Sequence, residues 1–249
     1  MTALDPVMVV TGGSRGIGAA TSFLGAARGY RVAIGFHESG AEAETVVRGI
    51  HQAGGKAKAF PLDVADPGSV ERFFSEIERD MGQPQALVNG AGITGGVCGV
   101  LDLNPDIIGE VVAVNLLGTF YCMRAAALRM SRARGGSGGA IVNISSEAAR
   151  FGGNCMSAYA SAKAGINTLT VAVARELAGD GIRINAVSPG VIDTDQNADL
   201  SPDGRESLVG SIPLKRMGQP EEVAEAILWL LSGQASYVTG SILSVNGGR

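Results

Sequence analysis

Histidine, cysteine and positive charge are all scarce in this chain of 249 residues, and each shortage closes off a class of chemistry. The two histidines, His37 and His51, lie near one end. With no HExxH pattern and no Cys/His cluster, they offer no frame for a zinc site or a serine-histidine-aspartate hydrolase. The three cysteines, Cys98, Cys122 and Cys155, are odd in number, far apart and without a CxxC. That argues against a disulfide framework and fits a reducing compartment. Lys+Arg number 20 against 24 Asp+Glu, a formal net charge of −4, so binding of nucleic acid or an anionic membrane through bulk charge is not expected. No run of about 18 consecutive apolar residues is present, and the opening MTALDPVMVV has no basic segment before its apolar stretch. A cytoplasmic protein without a membrane segment is the resulting expectation.

Glycine is plentiful instead. Its 37 residues are about twice the ordinary usage of ~7 %, yet Gly and Pro together stay below the range of disordered chains. The excess needs a structural reason within a folded protein. Length and a hydrophobic content of 45 % suit one domain over 1–249, since α/β domains of about 250 residues are common.

Short Val- and Ile-rich runs alternate with helical patterns throughout, the signature of βαβ units and a parallel sheet. Strands are predicted at 7–10, 31–36, 57–62, 86–89, 140–145, 182–187 and 242–245. Asp66-Pro67 reads as an N-cap and first-turn proline, and Gln219-Pro220-Glu221-Glu222 opens another helix with proline and two acids. Over 157–179, Ala162, Ile166, Leu169, Val173 and Leu177 share one face while Ala160, Ala164 and Val171 make the other faces apolar. Such a helix is expected to be covered on both sides, by the sheet and by a partner subunit. The glycine-rich stretch 134–139 reads as a surface connection, and 193–218, which shows no strong period, as a long loop acting as a substrate lid.

Three constellations carry chemistry. The first strand runs into Thr11-Gly12-Gly13-Ser14-Arg15-Gly16-Ile17-Gly18 and then a helix, where backbone N–H groups at a helix N-terminus accept a pyrophosphate. Its spacing, Gly12-x-x-x-Gly16-x-Gly18, departs from GxGxxG, so position rather than pattern carries the assignment. Tyr159 and Lys163, four apart on a helix, share a face. An ammonium beside a phenol stabilises the phenolate and lowers a pKa that is ordinarily about 10. Ser145-Ser146 ends the fifth strand, at the carboxyl edge where α/β sheets bind ligands, and a hydroxyl there can donate to a substrate oxygen.

The order and spacing of these motifs, with Leu62-Asp63-Val64, Asn89-Gly90-Ala91-Gly92, Asn115, Asn185 and Pro189-Gly190-Val191-Ile192-Asp193-Thr194, resemble the short-chain dehydrogenase/reductase family over nearly the whole chain. The branch of 3-oxoacyl-carrier-protein reductases and glucose dehydrogenases is the most similar. The resemblance implies a Rossmann-type α/β/α sandwich with a seven-stranded parallel sheet and a hydride-transfer site without metal. In it Tyr159 is the general acid/base, Ser146 holds the substrate oxygen, Lys163 binds the nicotinamide ribose and depresses the tyrosine pKa, and Asn115 supports a water relay. Gly12, Ser14, Arg15 and Ile17 cradle the phosphates; Asp63 and Val64 meet the adenine, Asn89 and Ala91 a ribose, and Pro189, Ile192 and Thr194 the nicotinamide. Gly90 departs from the family, which usually has a second Asn there, so altered local hydrogen bonding is expected without loss of binding.

Cofactor choice turns on the end of the second strand. Phe36 stands where an acidic residue selects NAD, which leaves Arg15 and His37 to meet a 2′-phosphate and favours NADP(H) over NAD(H). Glu38, 20 residues beyond Gly18, pulls the other way. A small carbonyl or alcohol substrate and a homotetramer complete the expectations. Thr94, Cys98, Phe151, Cys155 and Met156 are candidate substrate walls. The 3-oxoacyl-carrier-protein reductase reaction and a non-catalytic NADP-binding role both stay open.

Overall fold

The computed structural model describes residues 5–194 and 201–249. Strands β1 Val7–Thr11, β2 Arg31–Phe36, β3 Lys56–Pro61, β4 Pro84–Asn89, β5 Gly139–Ile144, β6 Ile182–Pro189 and β7 Ile242–Val245 form one sheet in the order β3-β2-β1-β4-β5-β6-β7. Every pairing between them is parallel. The helices are α1 Gly16–Ala27, α2 Gly40–Gln52, α3 Pro67–Met81, α4 Pro105–Val112, α5 Gly118–Met130, α6 Ala148–Phe151, α7 Ser157–Leu177, α8 Pro202–Gly210 and α9 Pro220–Leu231. All seven predicted strands are present, with ends displaced by at most two residues.

The strands are continuously apolar because helices cover both faces of the sheet. Along β1, Val7 and Val9 enter a core with Phe73, Phe74, Met123 and Ile141, while Met8 and Val10 enter the opposite core with Ile34, Val46, Ile227 and Leu228. Helices α3, α5 and α7 therefore form one layer, and α1, α2 and α9 the other. Strand order reverses between β1 and β4, and a crevice opens there at the carboxyl ends of the strands.

The predicted helix starts are observed. The Asp66 carboxylate accepts from the N–H groups of Gly68 (2.8 Å) and Ser69 (3.0 Å), with Pro67 at the first helical position. These bonds, chiefly that from Gly68, hold its carboxyl below the usual carboxylate range, so the cap is intact at neutral pH and is lost on acidification. Asp66→Ala should lower Tm by about 2–4 °C at pH 7, and the difference should shrink in thermal melts at acid pH. At α9, Glu222 accepts from the Gln219 N–H at 2.7 Å.

The structure departs from expectation at two helices. The stretch 193–218 is not one loop: α8 occupies Pro202–Gly210, capped by Ser201, whose hydroxyl accepts from the Gly204 N–H. Only Leu208 and Val209 supply large apolar side chains to that helix, so periodicity misses it although Ser201-Pro202-Asp203 is a start signal. The part of the predicted lid at 195–200 lies outside the described residues. The short α6, just after Ser146, was also missed, being too brief for a period to register. Separately, an 18-residue window within Pro105–Met130 has a mean hydropathy of 1.6, enough by length and composition for a membrane crossing. Half of that window is buried, and Val111, Cys122, Met123 and Met130 lie inside the protein.

Candidate active site

A cleft of about 430 Å³ opens at the β1/β4 crossover. At one end it is lined by Gly12, Ser14, Arg15, Gly16, Ile17 and Gly18, and at the other by Ser146, Tyr159 and Lys163. Ala91, Pro189, Ile192 and Thr194 line the wall between them. Eleven of the residues predicted from sequence thus meet in one cavity, although they come from the ends of four strands and from α7.

The glycine end is shaped by close backbone packing. Gly12 has φ +67°, and a Cβ there would lie 2.8 Å from Ala91 Cα. A Cβ at Gly18 would fall 2.1 Å from the Gly12 carbonyl oxygen. The turn therefore folds only with glycine at these two points. Thr11 Oγ1 accepts from the N–H groups of Gly90 (3.1 Å) and Ala91 (3.2 Å), tying β1 to the turn after β4. No side chain caps α1, so its first N–H groups face the cleft free of an internal acceptor. Gly90 fits as glycine because a Cβ there would meet Thr11 O at 2.9 Å and Ile144 Cδ1 at 3.2 Å. The Gly90 N–H is bound to Thr11 through both its carbonyl and its hydroxyl.

At the other end, Lys163 is 5 % exposed, and its Nζ donates to the Ile144 carbonyl at 2.7 Å while lying 5.6 Å from the centre of the Tyr159 ring. Burial pushes the Lys163 ammonium down to about 8. Burial likewise pushes the Tyr159 phenol above its ordinary value, with the Ser146 hydroxyl drawing it the opposite way. The largest influence on the tyrosine pKa in this structure is thus burial, and not Lys163. The cost of taking a phenolate out of water outweighs an ammonium whose nearest acceptor is a carbonyl. Tyr159 is consequently a protonated acid at neutral pH.

Five residues given a catalytic or cofactor role do not line the cleft, and neither do the candidate substrate walls Thr94, Cys98, Phe151, Cys155 and Met156. Asn115 sits in a π-helical turn, Ala113–Leu117, that joins α4 to α5. Its amide grips Ile93: Oδ1 accepts from the Ile93 N–H at 3.0 Å and Nδ2 donates to the Ile93 carbonyl at 2.8 Å. It thereby holds the segment after β4. Asn89 is buried, donating to Asn143 Oδ1 at 2.8 Å, and Asn143 donates to Thr170 at 2.9 Å. This chain fixes α7, which carries Tyr159 and Lys163, against β4 and β5. The Asn89 side chain therefore points into the core and not toward a ribose. Val64 is also buried, packed on Gly118, so it has only backbone to offer an adenine. Asp63 accepts from the Ala65 N–H at 2.9 Å and is half-buried beside the crevice. His37 is exposed and apart from the lining.

Sequence reasoning missed Ile144 as a lining residue, although it is findable as the carboxyl end of a strand. Ser145 and Gly92 line the cleft as well, and a Cβ at Gly92 would sit 2.5 Å from Asn115 Oδ1.

The doubly wound parallel sheet, with its glycine turn and its Ser, Tyr and Lys at the crossover, is that of a Rossmann-like oxidoreductase. A model of the family described as enoyl-(acyl carrier protein) reductase matches residues 12–249, and the chain belongs to this short-chain dehydrogenase/reductase family, enzymes acting on CH–OH groups. It is 46 % identical over 246 residues to the uncharacterized oxidoreductase YgfF of Escherichia coli, covering 98 % of this chain and 99 % of that one. It is 40 % identical over 244 residues to cis-4-hydroxycyclohexanecarboxylate dehydrogenase of Sinomonas cyclohexanicum (98 % and 96 %). With 3-oxoacyl-[acyl-carrier-protein] reductase FabG of Staphylococcus aureus it shares 38 % over 240 residues, 96 % of each chain.

Proposed function

We propose that this chain, acting as one domain over 1–249, is an NADP(H)-dependent oxidoreductase that interconverts a carbonyl and a secondary alcohol of a small molecule. The observation that carries this reading is the single cleft joining the glycine turn to Ser146, Tyr159 and Lys163. A dinucleotide fits these residues: the uncapped N-terminus of α1 and the exposed Arg15 suit its phosphates, and the glycines leave backbone surface for it to approach.

A bound nicotinamide supplies the hydride. Tyr159 donates its phenolic proton to the carbonyl oxygen in reduction and recovers one in oxidation. Ser146 donates a hydrogen bond to the same oxygen, which stabilises charge as it develops there. The Lys163 ammonium holds ribose hydroxyls and offsets the charge of a phenolate during the step. Asn115 keeps the 92–93 backbone in place behind Lys163.

NADP(H) is favoured because β2 ends in Phe36 rather than a carboxylate, and because Arg15 lines the cleft. His37 has no part in this reading, while Glu38 is exposed. Loss of one charge-assisted contact costs about 1.5–3 kcal/mol, so kcat/KM should favour NADPH over NADH by about tenfold or more. Arg15→Ala should erase most of that preference. An enzyme that prefers NADH would overturn the assignment.

The similarity to a 3-oxoacyl-[acyl-carrier-protein] reductase supports a narrower reading, reduction of an acyl thioester. Assaying an acetoacetyl thioester beside cyclic hydroxy acids, sugars and simple ketones separates the two.

A homotetramer is supported by apolar side chains left exposed along α4, the π-helical turn and α5, namely Ile108, Leu117 and Phe120, and by the half-buried outer face of α7. Light scattering should give about four times the 25.3 kDa of one chain, and a monomeric mass would contradict it. The cytoplasm is the location this reading implies.

A further inference from the structure

Two of the three cysteines meet where the segment leaving β4 packs on the turn that leads into α7. Cys98 lies in the segment leaving β4, and Cys155 lies in the turn between α6 and α7, shortly before Tyr159. The Cys98 N–H donates to the Cys155 carbonyl at 2.8 Å. With standard bond lengths on either side, that bond holds the two Cα atoms within about 6.7 Å, inside the window of about 4.4–6.8 Å that a disulfide spans.

Both thiols are accessible and unused by the proposed chemistry. Cys155 is exposed and Cys98 half-buried, whereas Cys122 is buried in the core. Among the described residues each sulfur makes one weak contact: Cys98 Sγ to the Gly99 carbonyl at 3.5 Å, and Cys155 Sγ to Asn154 Oδ1 at 3.7 Å. A change of side-chain rotamer gives up either at little cost. Cys155 also has φ +53°, a left-handed conformation that a non-glycine residue keeps only when its surroundings impose it. The turn is therefore already set against the Cys98 segment.

We propose that Cys98 and Cys155 form a reversible redox pair, which an oxidant of the peroxide class closes into a disulfide that narrows access to the Tyr159 end of the cleft. The exposed Cys155 thiolate attacks one peroxide oxygen. The O–O bond breaks, one water leaves, and a sulfenic acid forms. Cys98 then attacks that sulfur, the S–S bond forms and a second water leaves. Two thiols and one hydrogen peroxide give one disulfide and two waters, and a dithiol reductant reverses the step. The link would clamp the 93–104 segment, with its exposed Val97, Val100 and Leu101, to the turn that feeds α7. Substrate entry is affected, while the glycine end stays open.

The effect on turnover rests on the proposed function; the bridge itself does not. The full chain is treated with hydrogen peroxide, digested without reduction and mapped by mass spectrometry. A peptide pair joined through Cys98 and Cys155 is expected, absent in Cys98→Ser and Cys155→Ser. Oxidation should lower kcat/KM for a carbonyl substrate by about fivefold or more, with recovery in dithiothreitol, unchanged cofactor affinity and no effect on either serine variant. Oxidation of each cysteine without a link overturns the pair, and a link without change in kcat/KM overturns the gate. If no form turns over any carbonyl, the functional reading fails while the peptide map still decides the pair.

Discussion

Tyr159→Phe should lower kcat for carbonyl reduction and alcohol oxidation by about a thousandfold, the range that positioned general acid–base groups contribute. The substitution deletes one hydroxyl and keeps the ring beside Lys163. Dinucleotide affinity and Tm should therefore stay near those of the unaltered protein. This separates a chemical role from a structural one: a variant that turned over at the original rate would remove Tyr159 from the mechanism, and one that also lost cofactor would make it a positioning residue. The pH dependence has a defined direction. Burial raises the Tyr159 pKa and lowers that of Lys163 to about 8, so the phenol is protonated and the lysine largely charged at pH 7. Reduction, which needs the acid form, should persist through neutrality. Oxidation, which needs the phenolate, should rise as pH increases beyond 8. Initial rates in both directions across pH 6–10 test this.

Gly18→Ala should have the largest effect at the opposite end of the cleft. The added Cβ would lie 2.1 Å from the Gly12 carbonyl oxygen and 3.0 Å from Gly13 Cα, and these are backbone atoms that cannot rotate away. The turn must open or the start of α1 must shift, at a cost of about 3 kcal/mol, or about 6–12 °C in Tm for a chain of this size. Because the displaced N–H groups are those that would face a pyrophosphate, dinucleotide Kd should rise by about a hundredfold, beyond what loss of stability explains. Gly179→Ala is the matched control: nothing lies within 4 Å of its Cβ position, and its effect should stay within about 0.5 kcal/mol. Equal cofactor affinity in the two variants would show that the turn does not cradle the ligand.

The elements were legible in the sequence because each is written locally. Val- and Ile-rich runs of six residues mark strands covered on both faces, and Asp66-Pro67 and Gln219-Pro220 mark helix starts, so period and punctuation suffice. The chemistry of Ser146, Tyr159 and Lys163 was legible for a related reason: a strand end and an i,i+4 pair are geometric statements that a linear chain already makes. Helix α8 and the turn α6 were not, since neither carries enough apolar side chains to set a period.

Tertiary structure alone decided how several motif residues are used. Asn89, Asn115 and Val64 stand in the right motifs, yet their side chains turn to Asn143, to the Ile93 backbone and to Gly118. A buried amide goes to whichever partner the fold brings within hydrogen-bond reach, and sequence spacing does not specify that partner. The Tyr159 pKa followed the same rule, because desolvation depends on what packs around the ring. The meeting of Cys98 with Cys155 is the plainest case: by sequence they are two isolated thiols, and only the course of the chain after β4 and before α7 makes them neighbours.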